Sequence, residues 1–170
     1  MQFHYEIVDT PLGKFFILDS KDGLHYVLRD NDSRIKILIQ TYLPVKKLFN
    51  KSIVNYLNSC IEGKYISKKL KLNFLNGTEL QRKVWHQILK ISVGNTSSYS
   101  KLAFKLKRPK AIRAVASAVG KNPISVIIPC HRVIRKNGSL GGYAWGLSMK
   151  IKLLDIEGSG MADSIYRGGK

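Results

Sequence analysis

Between Phe3 and Leu28 three runs of strand-forming residues alternate with two tight-turn signals, and few folds satisfy that pattern. Phe3 to Val8, Lys14 to Leu18 and Leu24 to Leu28 are rich in β-branched and aromatic side chains, which suit a pleated, half-buried surface. Pro11-Leu12-Gly13 and Asp22-Gly23 separate them, so the strands are expected to be antiparallel neighbours. The period then changes. Ile35, Leu38, Ile39 and Tyr42 follow helical spacing up to Pro44, and Ile53, Tyr56, Leu57, Cys60 and Ile61 do so again before Gly63. Cys60 falls on the apolar stripe of that second helix and reads as packing. Leu70 to Leu75 reads as a further strand. This half is a small α/β scaffold ending near Asn76-Gly77, and nothing in it looks catalytic.

Thr78-Glu79-Leu80-Gln81 opens the second half as a capping box before Val84, Trp85, Ile88 and Leu89. After Gly94-Asn95, Ser98 caps a short helix carrying Tyr99, Leu102, Ala103 and Leu106. Arg108-Pro109-Lys110 makes the next turn, with the proline suited to a first helical position, and Ala111 to Val119 forms a third helix closed by Gly120. Two short helices joined by a basic turn match a helix-turn-helix, although many helical hairpins bind nothing. Ala111, Ala114, Ala116, Ser117 and Ala118 make the third helix small-sided. Such a face can lie in a groove or pack on a neighbouring helix. Arg113, its long polar side chain, could enter a base stack. Beyond, Lys136-Asn137-Gly138 is a hairpin-type turn, and the last helix runs from Leu147 with Ile151 and Leu154 on one side. The expected fold class is α/β (α+β): an α/β half with antiparallel strands over 1–76, a helix-turn-helix, winged-helix-like half over 77–158, and a frayed tail over 159–170.

Charge narrows the partner. Lys and Arg total 29 against 11 Asp and Glu, and between Leu80 and Leu154 there are 15 basic residues and no acidic one. A long acid-free basic segment is the footprint of a polyanion, because each phosphate neutralised releases counterions. No apolar run approaches a membrane span, and the opening Met1-Gln2-Phe3-His4-Tyr5-Glu6 lacks the form of a signal peptide. Two cysteines are too few for a disulfide framework and fit a reducing compartment with one thiol free to react.

That thiol lies in Ile127-Ile128-Pro129-Cys130-His131-Arg132-Val133. A free cysteine is only a few per cent thiolate near neutrality, and the thiolate is the nucleophile. His131 can act as base directly or through a water, provided a third group fixes its tautomer. Glu157 draws attention because it is one of two acids, with Asp155, that end a 75-residue stretch without any, and it lies near a helix C-terminus, where a carboxylate is disfavoured without a cationic or imidazole partner. Gly141-Gly142-Tyr143-Ala144-Trp145-Gly146 is a glycine-rich aromatic loop that reads either as a base-stacking element or as a rigid turn.

Pro129-Cys130-His131-Arg132-Val133, with Asn122-Pro123 before it and Gly142-Tyr143 and Glu157-Gly158 after it, resembles the methylated-DNA–protein-cysteine methyltransferases, also called O(6)-alkylguanine-DNA alkyltransferases. Ser98-Tyr99-Ser100 and Arg113-Ala114-Val115 extend the resemblance over essentially all of 78–158, and Thr10-Pro11-Leu12-Gly13 extends it weakly to the N-terminal hairpin. The resemblance implies stoichiometric repair: an alkyl group on O(6) of guanine, or O(4) of thymine, passes irreversibly to Cys130 after the nucleotide is flipped out. It implies that His131 deprotonates Cys130 through a water, that Glu157 orients His131, and that Asn122 braces the turn. Tyr99 would bond the flipped base. Arg113 would replace the extruded nucleotide from a minor-groove helix, with Lys110, Ala111, Ala114, Ser117, Tyr99 and Ser100 along the DNA. Pro123, Val133, Tyr143, Ala144 and Trp145 would line the base pocket.

Two departures stand out. Ala144 offers no side-chain hydrogen bond where some relatives carry serine or arginine, although its backbone N–H can serve the guanine oxygen. Some relatives bind a structural zinc in the N-terminal half; here Cys60, His4 and His25 have no ligand spacing, so no metal and no cofactor are expected. The partner implied is double-stranded DNA containing O(6)-alkylguanine, with no membrane involvement, bound by a monomer. The implied location is the cytoplasm, at the nucleoid of a prokaryote or in the nucleus of a eukaryote. The competing reading is a non-catalytic helix-turn-helix sensor of alkylated DNA, which Cys130 itself disfavours.

Overall fold

The computed structural model describes residues 1–43, 45–46, 50–64, 66 and 70–160. The expected helix stop at Pro44 and the tail beyond residue 160 lie outside the described residues. The chain divides into two units, each discontinuous in sequence. The first comprises the described residues of Met1–Ile61, Ile66–Asn76 and Pro123–Ile127; the second comprises those of Glu62–Tyr65, Gly77–Asn122 and Ile128–Lys170.

In the first unit β1 (Phe3–Thr10), β2 (Gly13–Ser20) and β3 (Gly23–Arg29) form an antiparallel meander, and a short β4 (Val45–Lys46) pairs parallel to β1. The strand order is β3-β2-β1-β4, so the strand the periodicity missed lies at an edge. Phe16, Leu18, Tyr26 and Leu28 share one face and form a core with Leu38 of α1 (Arg34–Tyr42). Phe15, Ile17 and Val27, of opposite parity, are buried too, and Ile17 lines a small cavity with Ile53 and Val54 of α2 (Lys51–Ile61). Both sheet faces are covered, which explains the near-continuous apolar runs in β2 and β3. Cys60 is only half-buried, beside the stripe of Ile53, Val54, Leu57 and Ile61 rather than on it.

The expected strand over 70–75 is a single parallel bridge between Leu24 and Leu72, held by Leu24 N–H to Lys71 O and Asn73 N–H to Leu24 O, both 2.9 Å. Gly23 permits that approach. Its φ is +131°, and a Cβ there would stand 2.5 Å from the Lys71 carbonyl oxygen. Gly23→Ala is therefore expected to destabilise the protein by more than about 1 kcal/mol in denaturant unfolding.

Pro123–Ile127 joins the same sheet. Val27 N–H donates to Pro123 O and Ser125 N–H to Val27 O, each at 3.0 Å. Ile127 N–H then donates to Ser125 O at 2.9 Å, closing a three-residue turn around Val126 at φ +68°. A β-branched residue in that region is strained and persists only where its surroundings hold it.

The second unit begins at α3 (Glu79–Ile88), where the expected capping box is present: Gln81 N–H donates to Thr78 Oγ1, and Thr78 N–H to Gln81 Oε1. Ser98 caps α4 (Tyr99–Lys105) by accepting from Lys101 N–H at 3.1 Å. The connection makes two turns: the expected one over Arg108-Pro109-Lys110, closed by Ala111 N–H to Arg108 O at 2.9 Å, and one at Lys107 before it. Lys107 is left-handed (φ +56°), with Lys107 N–H to Phe104 O and Arg108 N–H to Ala103 O satisfying the last carbonyls of α4. Pro109 precedes the first helical position, because α5 is Ile112–Gly120. Gly120 is its last residue and carries no positive φ. α5 packs on α3 through Val115, Ala118 and Val119, and Trp85 Nε1–H donates to Ala118 O at 2.8 Å. A two-residue parallel pairing of β5 (Ser97–Ser98) with β6 (Val133–Ile134) sets the start of α4 beside the chain leaving Cys130. α6 (Leu147–Ile156) buries Lys150, Leu153 and Leu154. Ile151, expected on the buried side, is only half-buried, because the stripe runs through Lys150, Leu153, Leu154 and Glu157.

Candidate active site and nucleic-acid interface

Proline fixes the entry to Cys130. Pro129 (φ −79°, ψ 66°) is the centre of a tight turn closed by Cys130 N–H to Ile128 O at 2.7 Å, and Cys130–Arg132 then forms one turn of 3₁₀ helix. Asn122 braces it from α5's end. Its Nδ2 donates to Ile128 O at 2.8 Å and to Cys130 Sγ at 3.2 Å. Cys130 retains 9% exposure, against none for His131. Burial pushes the Cys130 thiol above its ordinary value, more than the Asn122 bond, the charge of Lys150 and the backbone N–H groups of Cys130 and His131 pull it down. In the resting protein desolvation is the largest of these influences on the thiol.

His131 is locked in one tautomer. Its Nε2–H donates to Glu157 Oε1 at 2.8 Å, so the lone pair lies on Nδ1, which is buried without a hydrogen-bond partner. Burial drops the His131 pKa despite the carboxylate, leaving a neutral imidazole at neutral pH. Arg132 completes the cluster. Its Nε donates to Glu157 Oε2 at 2.9 Å, its Nη2 to Oε1 at 2.8 Å, and its Nη1 to Ile91 O. Burial alone would raise the Glu157 pKa, but the hydrogen bonds from His131 and Arg132 hold it below the usual carboxylate value. Both partners suggested for that carboxylate, an imidazole and a cation, are therefore present. The role of Arg132 was not seen in the sequence.

Two phenols face the sulfur. Burial raises the pKa of Tyr99, at the start of α4, and a Cys130 thiolate raises it further. Tyr143 is pushed well above the ordinary phenol value by burial first, then by the charge of a Cys130 thiolate, a hydrogen bond with that sulfur and the charge of Glu157. Gly141 (φ +67°) makes room, since a Cβ there would lie 3.0 Å from the Tyr99 hydroxyl. Trp145 packs edge-on against Tyr143 with ring centroids 5.6 Å apart, and Ala144 between them is exposed. Val133 is fully buried, paired with Ser97. Pro123 lies in the first unit, its carbonyl bonded to Val27. Lys150, buried near Cys130, was missed altogether. Among the described residues no group of three His, Cys, Asp or Glu side chains is placed to hold a metal.

The small side chains of α5 divide between the two readings left open. Ala118 is buried and Ala116 half-buried, whereas Arg113, Ala114 and Ser117 are exposed on the opposite side. Ala111 is half-buried and Lys110 exposed, and Ser100 is half-buried with Oγ 3.0 Å from Ser98 Oγ. Lys101, Lys105, Lys107 and Arg108 are exposed along α4 and its turn. This surface is cationic and small-sided at its centre, as a helix docking on a phosphate-lined groove requires.

Residues 79–159 match the family model for the 6-O-methylguanine DNA methyltransferase, DNA binding domain. The chain is 43% identical over 147 residues to a probable methylated-DNA–protein-cysteine methyltransferase of Acanthamoeba polyphaga mimivirus, covering 85% of this chain and 96% of that protein. It is 36% identical to the methylated-DNA–protein-cysteine methyltransferase of Methanosarcina mazei, covering 91% and 96%. The crystal structure of Mycobacterium tuberculosis OGT in complex with DNA superposes with a TM-score of 0.81 at 32% identity, covering 92% of this chain and 93% of that one. Likeness at this level spans both units and includes the cysteine turn, and it shows that the chain belongs to the methylated-DNA–protein-cysteine methyltransferase family.

Proposed function

We propose that this protein repairs DNA by moving an alkyl group from O(6) of guanine, and from O(4) of thymine, onto Sγ of its own Cys130, once per molecule. The observation that carries this reading is the arrangement of Cys130, Asn122, His131 and Glu157. A buried thiol, bonded to an amide, is followed in the chain by a histidine whose imidazole is held through Nε2 by Glu157 and whose Nδ1 has no hydrogen-bond partner. The thiol proton passes through a water to His131 Nδ1. The sulfur then attacks the alkyl carbon, the C–O(6) bond breaks, and guanine leaves as a base that takes up a proton with help from the Tyr99 hydroxyl. Glu157, bonded to Nε2, favours the imidazolium formed. The product is a thioether, which no base in the site can reverse.

A guanine inside a duplex cannot present its alkyl carbon to a buried sulfur, so the nucleotide must leave the stack at a cost of roughly a few kcal/mol. Arg113, exposed on α5, fills the gap, while Lys110, Ala111, Ala114, Ser117 and Ser100 follow the minor groove. Val133, Tyr143, Ala144 and Trp145 receive the base. The protein acts as a monomer where DNA is held: in the cytoplasm at a prokaryotic nucleoid, or in a eukaryotic nucleus. Among the described residues no helix is long and apolar enough to cross a membrane.

Incubation with an O(6)-methylguanine duplex should add a single methyl to the peptide containing Cys130 and then stop at one per protein molecule. Durable binding with no gain in mass would identify a sensor instead, and repeated turnover a hydrolase. Arg113→Ala should slow repair in duplex DNA by about tenfold or more while leaving reaction with the free base unchanged, since unstacking a base costs a few kcal/mol. Equal losses on both substrates would remove the gap-filling role.

A further inference from the structure

Lys150 is fully buried on α6, an environment that a lysine rarely occupies without a counter-ion. Its Nζ donates to three backbone carbonyls: Val133 at 2.7 Å, Leu140, and Gly142 at 3.5 Å. All three acceptors are neutral. The ion pairs among the described residues include none with Lys150, and Glu157, the nearby carboxylate of the same helix, is already engaged by Arg132 and His131. A desolvated ammonium left in this state is costly, and three oriented carbonyls repay only part of the cost. The cluster thus contains a cation waiting for an anion. The reaction proposed above creates one anion there, the thiolate of Cys130.

We propose that Lys150 is a positioning residue for the transfer: it clamps the strand leaving the Cys130 turn to the 140–142 loop and supplies the buried positive charge that the Cys130 thiolate needs. The inference rests on the alkyl-transfer reading and gives one of its steps a physical cause. The clamp is direct. Val133, whose carbonyl Lys150 holds, donates its own N–H to Cys130 O, and Gly142 precedes Tyr143, whose phenol faces the sulfur. The charge acts in the same place. Burial brings the Lys150 pKa down to about 8, and a Cys130 thiolate pushes it back up. Reciprocally, Lys150 pulls the Cys130 thiol down against burial. The other titratable or charged groups on the surrounding elements are His131 and Arg132 of the turn, Tyr99 of α4, Tyr143 of the loop and Glu157 of α6. His131 is kept from protonating in part by Lys150 itself. Arg132 and Glu157 neutralise each other, and the two phenols stay protonated.

The test is the rate at which iodoacetamide modifies Cys130 across about pH 6 to 10, in a Cys60→Ser background so that one thiol is read. Lys150→Met keeps the length and removes the charge. It is expected to move the apparent pKa of the reaction up by about one unit, a tenfold slower modification at neutral pH, and Lys150→Arg should recover much of the loss. A folded Lys150→Met protein with the unsubstituted pH profile would overturn the proposal. If Lys150→Met does not fold, the profile of the Cys60→Ser protein decides. With the two groups coupled, the rate should bend towards a plateau near pH 8, where Lys150 begins to lose its proton, because the ion pair and the neutral pair then hold the same number of protons. A single uninterrupted rise to the thiol's own pKa would overturn it. Iodoacetamide needs neither DNA nor guanine, so failure here leaves methyl uptake from the duplex untouched. Absence of methyl uptake with the Lys150 effect intact would instead sink only the transfer reading.

Discussion

A Cys130→Ala protein is expected to gain no methyl group from an O(6)-methylguanine duplex while binding that duplex about as tightly as the unsubstituted protein. The effect is total because the nucleophile cannot be shared. The other cysteine, Cys60, is half-buried on α2 in the first unit, whereas Cys130 belongs to the second. The fold should tolerate the change. Losing one buried sulfur costs about 1 kcal/mol, in the range of a single-group deletion from a core, and Asn122 keeps its 2.8 Å bond to Ile128 O when the bond to Sγ goes. Binding survives because Arg113, Lys110 and the cationic side chains of α4 are exposed and independent of the thiol. Intact-mass measurement after incubation and a binding titration at fixed salt check both halves. Methyl uptake on any other side chain, or loss of binding together with transfer, would count against the assignment.

Glu157→Gln should cost about 3–5 kcal/mol in denaturant unfolding and also slow alkylation of Cys130. The carboxylate is 1% exposed and accepts three hydrogen bonds, two from Arg132 and one from His131, so neutralising it leaves a guanidinium buried without its counter-charge. The amide also presents an NH₂ group to donors, so it can no longer fix the His131 tautomer. The pH dependence has a definite sign. His131 has a lowered pKa, so the unfolded chain binds a proton first as pH falls through about 6.5, and stability declines from there. Glu157 also has a lowered pKa. Its contribution is complete above about 4.5 and is lost as pH falls through its folded value. The unsubstituted protein should lose stability in two stages, and the Glu157→Gln protein should lack the second. Equal stability of the two proteins at pH 7 would remove the carboxylate from the architecture of the site.

The meander, α1, α2 and the three helices after Thr78 were legible because each has its own period and its own punctuation: Asp22-Gly23, the Thr78–Gln81 box and the Ser98 cap. What escaped depends on contacts between distant residues. β4 has two residues, too few for any period to show. The left-handed Lys107 is not a residue that announces a turn, so the turn just before Arg108-Pro109-Lys110 went unread. At the site, Cys130, His131, Asn122 and Glu157 were readable from the motif residues and from the acids that end the basic segment, but their mutual hydrogen bonds were not. Lys150 could have been found. It precedes Leu153, Leu154 and Glu157 at spacings of three, four and seven, so the buried stripe of α6 begins and ends on a charged residue. Reading Ile151 as the inward position hid a cation behind an ordinary amphipathic pattern.

The loop between α5 and the cysteine turn leaves its own unit and returns within five residues, with Asn122 joined to Ile128 across its base. Those five residues lend a backbone to β3 through Val27, so a cut at codon 76 would part β3 from the segment that bridges it. A C-terminal fragment would bear an orphaned stretch with Val126 in a conformation nothing then enforces, and an N-terminal fragment would have an open sheet edge. The seemingly passive half thus counts five residues from the far side of the chain among its own, which makes its boundary spatial rather than sequential.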